Sequence, residues 1–177
     1  PSITSKRSLC ISFKSASDSE VEKAQKWGDS LRQIYIKAIN NAVNSGSSIM
    51  KVNDKTISLE AAAGRLVEYD KFTEAAYKES LVRHVRVPEW MVNNSGLSDI
   101  SSASDAQLKK ELDIARKNTK IYDSYVSSML SKGKTVIVIG DGHTKKTLDE
   151  CRVQAAQYEA FARNIELHQK VRAAKSS

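Results

Sequence analysis

Ser15-Ala16-Ser17-Asp18 returns 87 positions later as Ser102-Ala103-Ser104-Asp105. At the same offset of 87, Ile34-Tyr35 matches Ile121-Tyr122, Ile39 matches Val126 and Gly46 matches Gly133. Further along the offset becomes 89, where Leu59 matches Leu148, Tyr69 matches Tyr158 and Phe72 matches Phe161. Identical residues are few, but their order and constant spacing describe one unit written twice. The change of two falls between Asn53-Asp54 in the first copy and Gly140-Asp141-Gly142-His143 in the second, which places an insertion at a loop tip.

Working outward from the tetrapeptide, each copy opens with a helix start. Ser17 precedes Glu20 by three residues and Ser104 precedes Gln107 by three. Such a pair lets the hydroxyl accept from an early backbone N–H while the longer side chain reaches back to the cap. Apolar or small residues then recur at helical spacing: Val21, Ala24, Trp27, Leu31, Ile34, Ala38 and Ala42 in the first copy, and Leu108, Leu112, Ala115, Tyr122, Val126 and Met129 in the second. Gly46 and Gly133 stand where a left-handed cap ends a helix.

An extended pair follows. Ile49–Val52 and Lys55–Ser58 flank Asn53-Asp54, residue types that tolerate the positive φ of a tight hairpin. Thr135–Ile139, rich in β-branched residues, turns through Gly140-Asp141-Gly142 into His143–Lys146. Second helices start after Ser58 and Thr147, with apolar lines through Leu59, Ala62, Leu66, Tyr69, Phe72 and Ala76, and through Leu148, Cys151, Ala155, Tyr158, Ala162 and Ile165. The expected fold is mainly α (α+β): a tandem duplication of helix–β-hairpin–helix, with four long helices of about 25 residues and two small hairpins. Residues 1–17 are expected to form an extended N-terminal arm, 18–84 the first repeat, 85–104 a linker and 105–177 the second repeat. In the linker Pro88 biases Val87 away from helix, while Trp90, Met91, Leu97 and Ile100 predict that the connection docks on the surface.

Composition narrows the function classes. The chain is 40% hydrophobic, 28% charged and 6% aromatic, the balance of an ordinary globular protein. No apolar run is long enough for a membrane span, and no signal-peptide core is present. Pro1-Ser2-Ile3 is the start that removal of an initiator Met would leave, and a complete cytoplasmic product is the expectation. Two cysteines, Cys10 and Cys151, are too few for a disulfide framework; Cys151 lies on an apolar helical line and reads as a small buried hydrophobe.

The segment nearest to catalytic chemistry is Val138–Thr144, where an apolar strand runs into Gly-Asp-Gly-His. A Gly-rich turn can present N–H groups to a phosphate, yet neither GxxxxGK[ST] nor GxGxxG spacing is present. The first copy has only a two-residue turn at this place, so an elongated hairpin tip is the expectation. His84, His143 and His168 lack metal-ligand spacing, and no GxSxG, HExxH or nucleophile–His arrangement is visible. No enzymatic activity, metal or cofactor is expected.

The helix–hairpin–helix stretch Ala42 to Lys78 contains Asn44-Ser45-Gly46, Ile49–Asp54, Ser58-Leu59-Glu60 and Tyr69. It resembles the small head-to-tail joining proteins of lambda-like tailed phages, and Met129 to Ile165 gives a second copy. Two copies, longer helices and a joining segment depart from that family, so no functional residue carries over. The resemblance implies a non-enzymatic virion protein that assembles symmetrically at a portal or neck, with protein subunits as partners and a homo-oligomer as the form. A virion location would then replace the cytoplasmic one.

Two further surfaces follow from the residues. Leu9, Ile11 and Phe13 alternate with polar neighbours and predict a strand that adds to a sheet, within the chain or in a neighbouring subunit. A net charge of +7 permits the alternative function, a basic nucleic-acid-binding module, with Lys145, Lys146, Lys170, Arg172 and Lys175 as contacts.

Overall fold

A computed structural model describes residues 12–177. The order is α1 (Asp18–Asn44), β1 (Ile49–Val52), β2 (Lys55–Ser58), α2 (Leu59–His84), α3 (Glu89–Asn94), a 3₁₀ turn at Ile100–Ser102, α4 (Asp105–Lys132), β3 (Val136–Ile139), β4 (Thr144–Thr147) and α5 (Leu148–Lys175). The chain divides into two compact units, one ending at Ser80 and one beginning at Leu81, and each is described by itself.

The local signals act as their chemistry dictates. The Ser17 hydroxyl accepts from the Glu20 N–H at 3.1 Å and the Glu20 carboxylate from the Ser17 N–H at 3.4 Å. Ser104 and Gln107 repeat this at 3.1 and 2.9 Å. At the other end α1 runs into Gly46 at φ +68° and α4 into Gly133 at φ +63°. The Ser47 N–H then reaches the Ala42 carbonyl at 2.9 Å, and the Lys134 N–H the Met129 carbonyl at 2.8 Å. These six-to-one bonds satisfy carbonyls that the helix end would otherwise orphan.

Each hairpin is antiparallel and two-stranded. Ile49 pairs with Ser58 and Val52 with Lys55; Val136 pairs with Thr147 and Ile139 with Thr144. The first turn holds Asn53 at φ +49° and Asp54 at φ +63°, as a two-residue hairpin loop requires. The second is longer, with Gly140 and Gly142 taking the positive φ values. In both copies the N–H that opens the second helix donates back across the hairpin base at 2.8 Å, Leu59 to the Ser48 carbonyl and Leu148 to the Thr135 carbonyl.

In the first unit α1 and α2 lie antiparallel: Trp27 meets Phe72 at 5.1 Å between ring centroids, and Tyr35 meets Tyr69 at 5.3 Å. The buried residues of α1 are Val21, Gly28, Tyr35 and Ala42, seven apart throughout. A seven-residue spacing keeps these positions on one stripe of the helix. Of the expected apolar line, Val21 and Ala42 are buried and Ala24, Leu31 and Ala38 half-buried, while Ile34 is exposed beside the buried Tyr35. Gly28 carries no side chain, so the hydrophobic pattern points away from the position that the helices use. Beneath the hairpin, Tyr35, Ala42, Met50, Val52 and Ala62 form one buried cluster.

The second unit repeats the plan. Tyr122 stacks with Tyr158 at 5.8 Å, and Arg116 pairs with Glu166 across α4 and α5. Val126, Met129 and the fully buried Cys151 form the cluster under its hairpin. The segment between the repeats does more here than dock on a surface. Met91, Leu97 and Ala103 are buried in a core with Leu108, Ala115, Phe161, Ala162 and Ile165.

Candidate functional site

The Gly-Asp-Gly-His tip is held by its own aspartate. The Asp141 carboxylate accepts from the His143 N–H at 2.7 Å, the Thr144 N–H at 2.8 Å and the Thr144 hydroxyl at 3.0 Å. Those donors hold the Asp141 carboxyl below the ordinary aspartate value. A carboxylate so occupied is a turn-former and a poor proton acceptor. Among the described residues no three His, Cys, Asp or Glu side chains come together as a metal ion would require.

The five basic positions fall into two groups. Lys145 and Lys146 lie on β4 and Lys170, Arg172 and Lys175 near the end of α5. From the start of α5 to Lys170 the axial rise is about 33 Å at 1.5 Å per residue. Lys145, Lys170 and Lys175 are exposed. Lys146 is engaged: its ammonium donates to the Gln154 amide oxygen at 2.7 Å and lies 6.0 Å from the Tyr122 ring centroid. Arg172 donates to Asp105 at 2.9 Å and to the Ile100 and Ser101 carbonyls at 3.2 and 3.1 Å, clamping the end of α5 to the start of α4. Two of the five are therefore committed within the fold, and the rest do not make one patch.

Of the expected N-terminal strand, Leu9 and Ile11 lie outside the described residues. Phe13 packs edge-on against Phe72 of α2 with centroids 5.3 Å apart, and its carbonyl accepts from the Ala16 N–H at 3.0 Å to close a turn.

Apolar side chains do stand exposed on the hairpins. Alternation puts Met50, Val52 and Ile57 inward in the first and Ile137 inward in the second. The opposite faces carry Ile49, Lys51, Thr56 and Ser58, and Val136, Val138, Lys145 and Thr147, all exposed. Ile34 and Ile49 also line an open groove of about 440 Å³ between α1 and β1.

One residue escaped the sequence reading. Glu111 is buried on the core-facing stripe of α4 between Leu108 and Ala115. The position 87 earlier in the first copy is Ala24, so the duplicated fold does not need a carboxylate there. A charge between two apolar core positions was the available signal.

No family model matches the chain, and no curated protein or solved structure matches it.

Proposed function

We propose that the protein is a non-enzymatic structural protein that joins copies of itself, and further subunits, in a larger particle. The observation that carries this reading is the pair of exposed hairpin faces, where Ile49 is 57%, Val136 46% and Val138 50% accessible. A two-stranded hairpin leaves backbone donors and acceptors free along its outer edges, and β-branched side chains beside such edges favour pairing with another strand. The two faces are unlike each other, so a contact between the first hairpin of one copy and the second of the next runs head to tail. Contacts of that kind close into rings or extend as filaments.

A phage neck or head-tail connector is the particle we favour, and its support is the resemblance of Ala42–Lys78 and Met129–Ile165 to head-to-tail joining proteins. Negative-stain electron microscopy of the pure protein tests the reading: rings or filaments of regular repeat are expected, and isolated single chains would remove it. The nucleic-acid alternative keeps the +7 charge as support, but two of its five named contacts, Lys146 and Arg172, are engaged within the fold. Filter binding at low salt is expected to retain little DNA or RNA, with any retention lost steeply as salt rises.

A further inference from the structure

Glu111 lines a cleft of about 390 Å³ between α3, α4 and α5, together with Trp90, Ile114, Asn118, Tyr158 and Phe161. Its side chain belongs to a residue only 7% accessible, and no described residue donates a hydrogen bond to it or pairs with it as an ion. Burial pushes its carboxyl above the ordinary glutamate value; Lys110, also at the cleft, opposes this without bonding to it. Its carboxyl oxygens keep contact with solvent in the cleft, but partial burial without a protein donor still disfavours the charged form. The fold could avoid that cost with an alanine, as the first copy does with Ala24.

The walls say what would offset the cost. Trp90 and Tyr158 meet edge to face with centroids 6.4 Å apart, and the indole is left 46% accessible at the rim. Aromatic faces attract cations, and most strongly where water is excluded. A calcium or magnesium ion needs several oxygen ligands, and one carboxylate among rings does not supply them. An ammonium or guanidinium on an alkyl stem suits both features, with the charge at Glu111 and the stem along Ile114 and Phe161.

We infer that the cleft between α3, α4 and α5 is a binding site for an organic cation, an alkylammonium or alkylguanidinium group, with Glu111 as counter-ion and Trp90 and Tyr158 as aromatic walls. The inference does not depend on self-assembly. Such a group is carried both by small free amines and by the lysine and arginine side chains of other proteins.

The test is an NMR titration of the full chain, following the Trp90 indole N–H with the Trp27 indole as internal control. The probes are n-butylammonium, n-butylguanidinium, the N-acetyl amides of lysine and arginine, n-butanol and calcium chloride. Either or both alkyl cations should shift Trp90 saturably and leave Trp27 in place, while butanol and calcium leave both unmoved. Glu111→Gln should weaken cation binding about tenfold or more, and Trp90→Ala about two- to fivefold by the response of the α3 amides. Glu111→Leu should abolish binding while raising the melting temperature, which separates loss of the site from loss of the fold. Equal binding by the amino-acid amides assigns the site to a protein side chain, and binding by the free amines alone assigns it to a small molecule; both uphold it. Butanol acting as strongly as the cations, no cation response, or Glu111→Gln binding like the wild type would overturn it.

Discussion

Gly28 lies on α1 against α2, and a Cβ built there would lie 2.2 Å from the Thr73 hydroxyl oxygen. At the equivalent places in the second copy stand Ala115 and Ala162, both buried in one cluster. The two copies thus divide the same small space differently, none plus a threonine in one, two alanines in the other. Gly28→Ala should cost about 1–3 kcal/mol by overpacking, despite the gain in helix propensity. Adding Thr73→Ala should return most of that loss, because it recreates the second copy's pair. Equilibrium urea denaturation of the two variants checks this, and a double variant no more stable than Gly28→Ala would contradict it. Asp141 gives a second prediction at this scale. Its folded pKa lies below the ordinary 3.8, so its support of the hairpin tip is complete above that value and is lost as pH falls through the folded pKa. The His143 and Thr144 amide signals should therefore titrate with a midpoint below 3.8. The hydroxyl caps were readable from the chain because donor and acceptor lie three residues apart; the Gly28–Thr73 fit was not, because its halves belong to different helices.

The elements owe their bounds to a few termini. Helices of 27, 26, 28 and 28 residues agree with the lengths expected from periodicity, since hydroxyl caps mark where they begin and left-handed glycines where α1 and α4 stop. Removing one cap tests this directly. Ser104→Ala should lower stability by about 1 kcal/mol, and faster hydrogen exchange should be confined to the first turn of α4. Exchange unchanged at Gln107 would contradict the cap's role. What periodicity missed on α1 was Gly28, because a glycine carries no side chain to mark the seven-residue repeat, while Ile34, inward by its spacing, is exposed. The stretch 85–104 was also underestimated. Its apolar residues are few and irregularly spaced, and only packing against α4 and α5 shows that Met91 and Leu97 are core. Glu111 was hidden for a similar reason: on a long polar helix one more glutamate is unremarked until its face is known.

At the scale of the whole molecule, the duplication places a hairpin with an exposed β-branched face at the turn of each helix pair. Among the described residues those faces are exposed, while Met50, Val52, Ile57 and Ile137 on the opposite faces pack inward. Function was the least legible level, because an assembly surface carries no spaced catalytic motif and differs from a solvated strand only in what it leaves uncovered. The most direct test is light scattering with size exclusion on the full chain over a range of concentrations. The account predicts a mass that is a multiple of 19.6 kDa and returns to 19.6 kDa when Val136 and Val138 are both changed to serine. A wild-type chain that stays at 19.6 kDa at every concentration would contradict it.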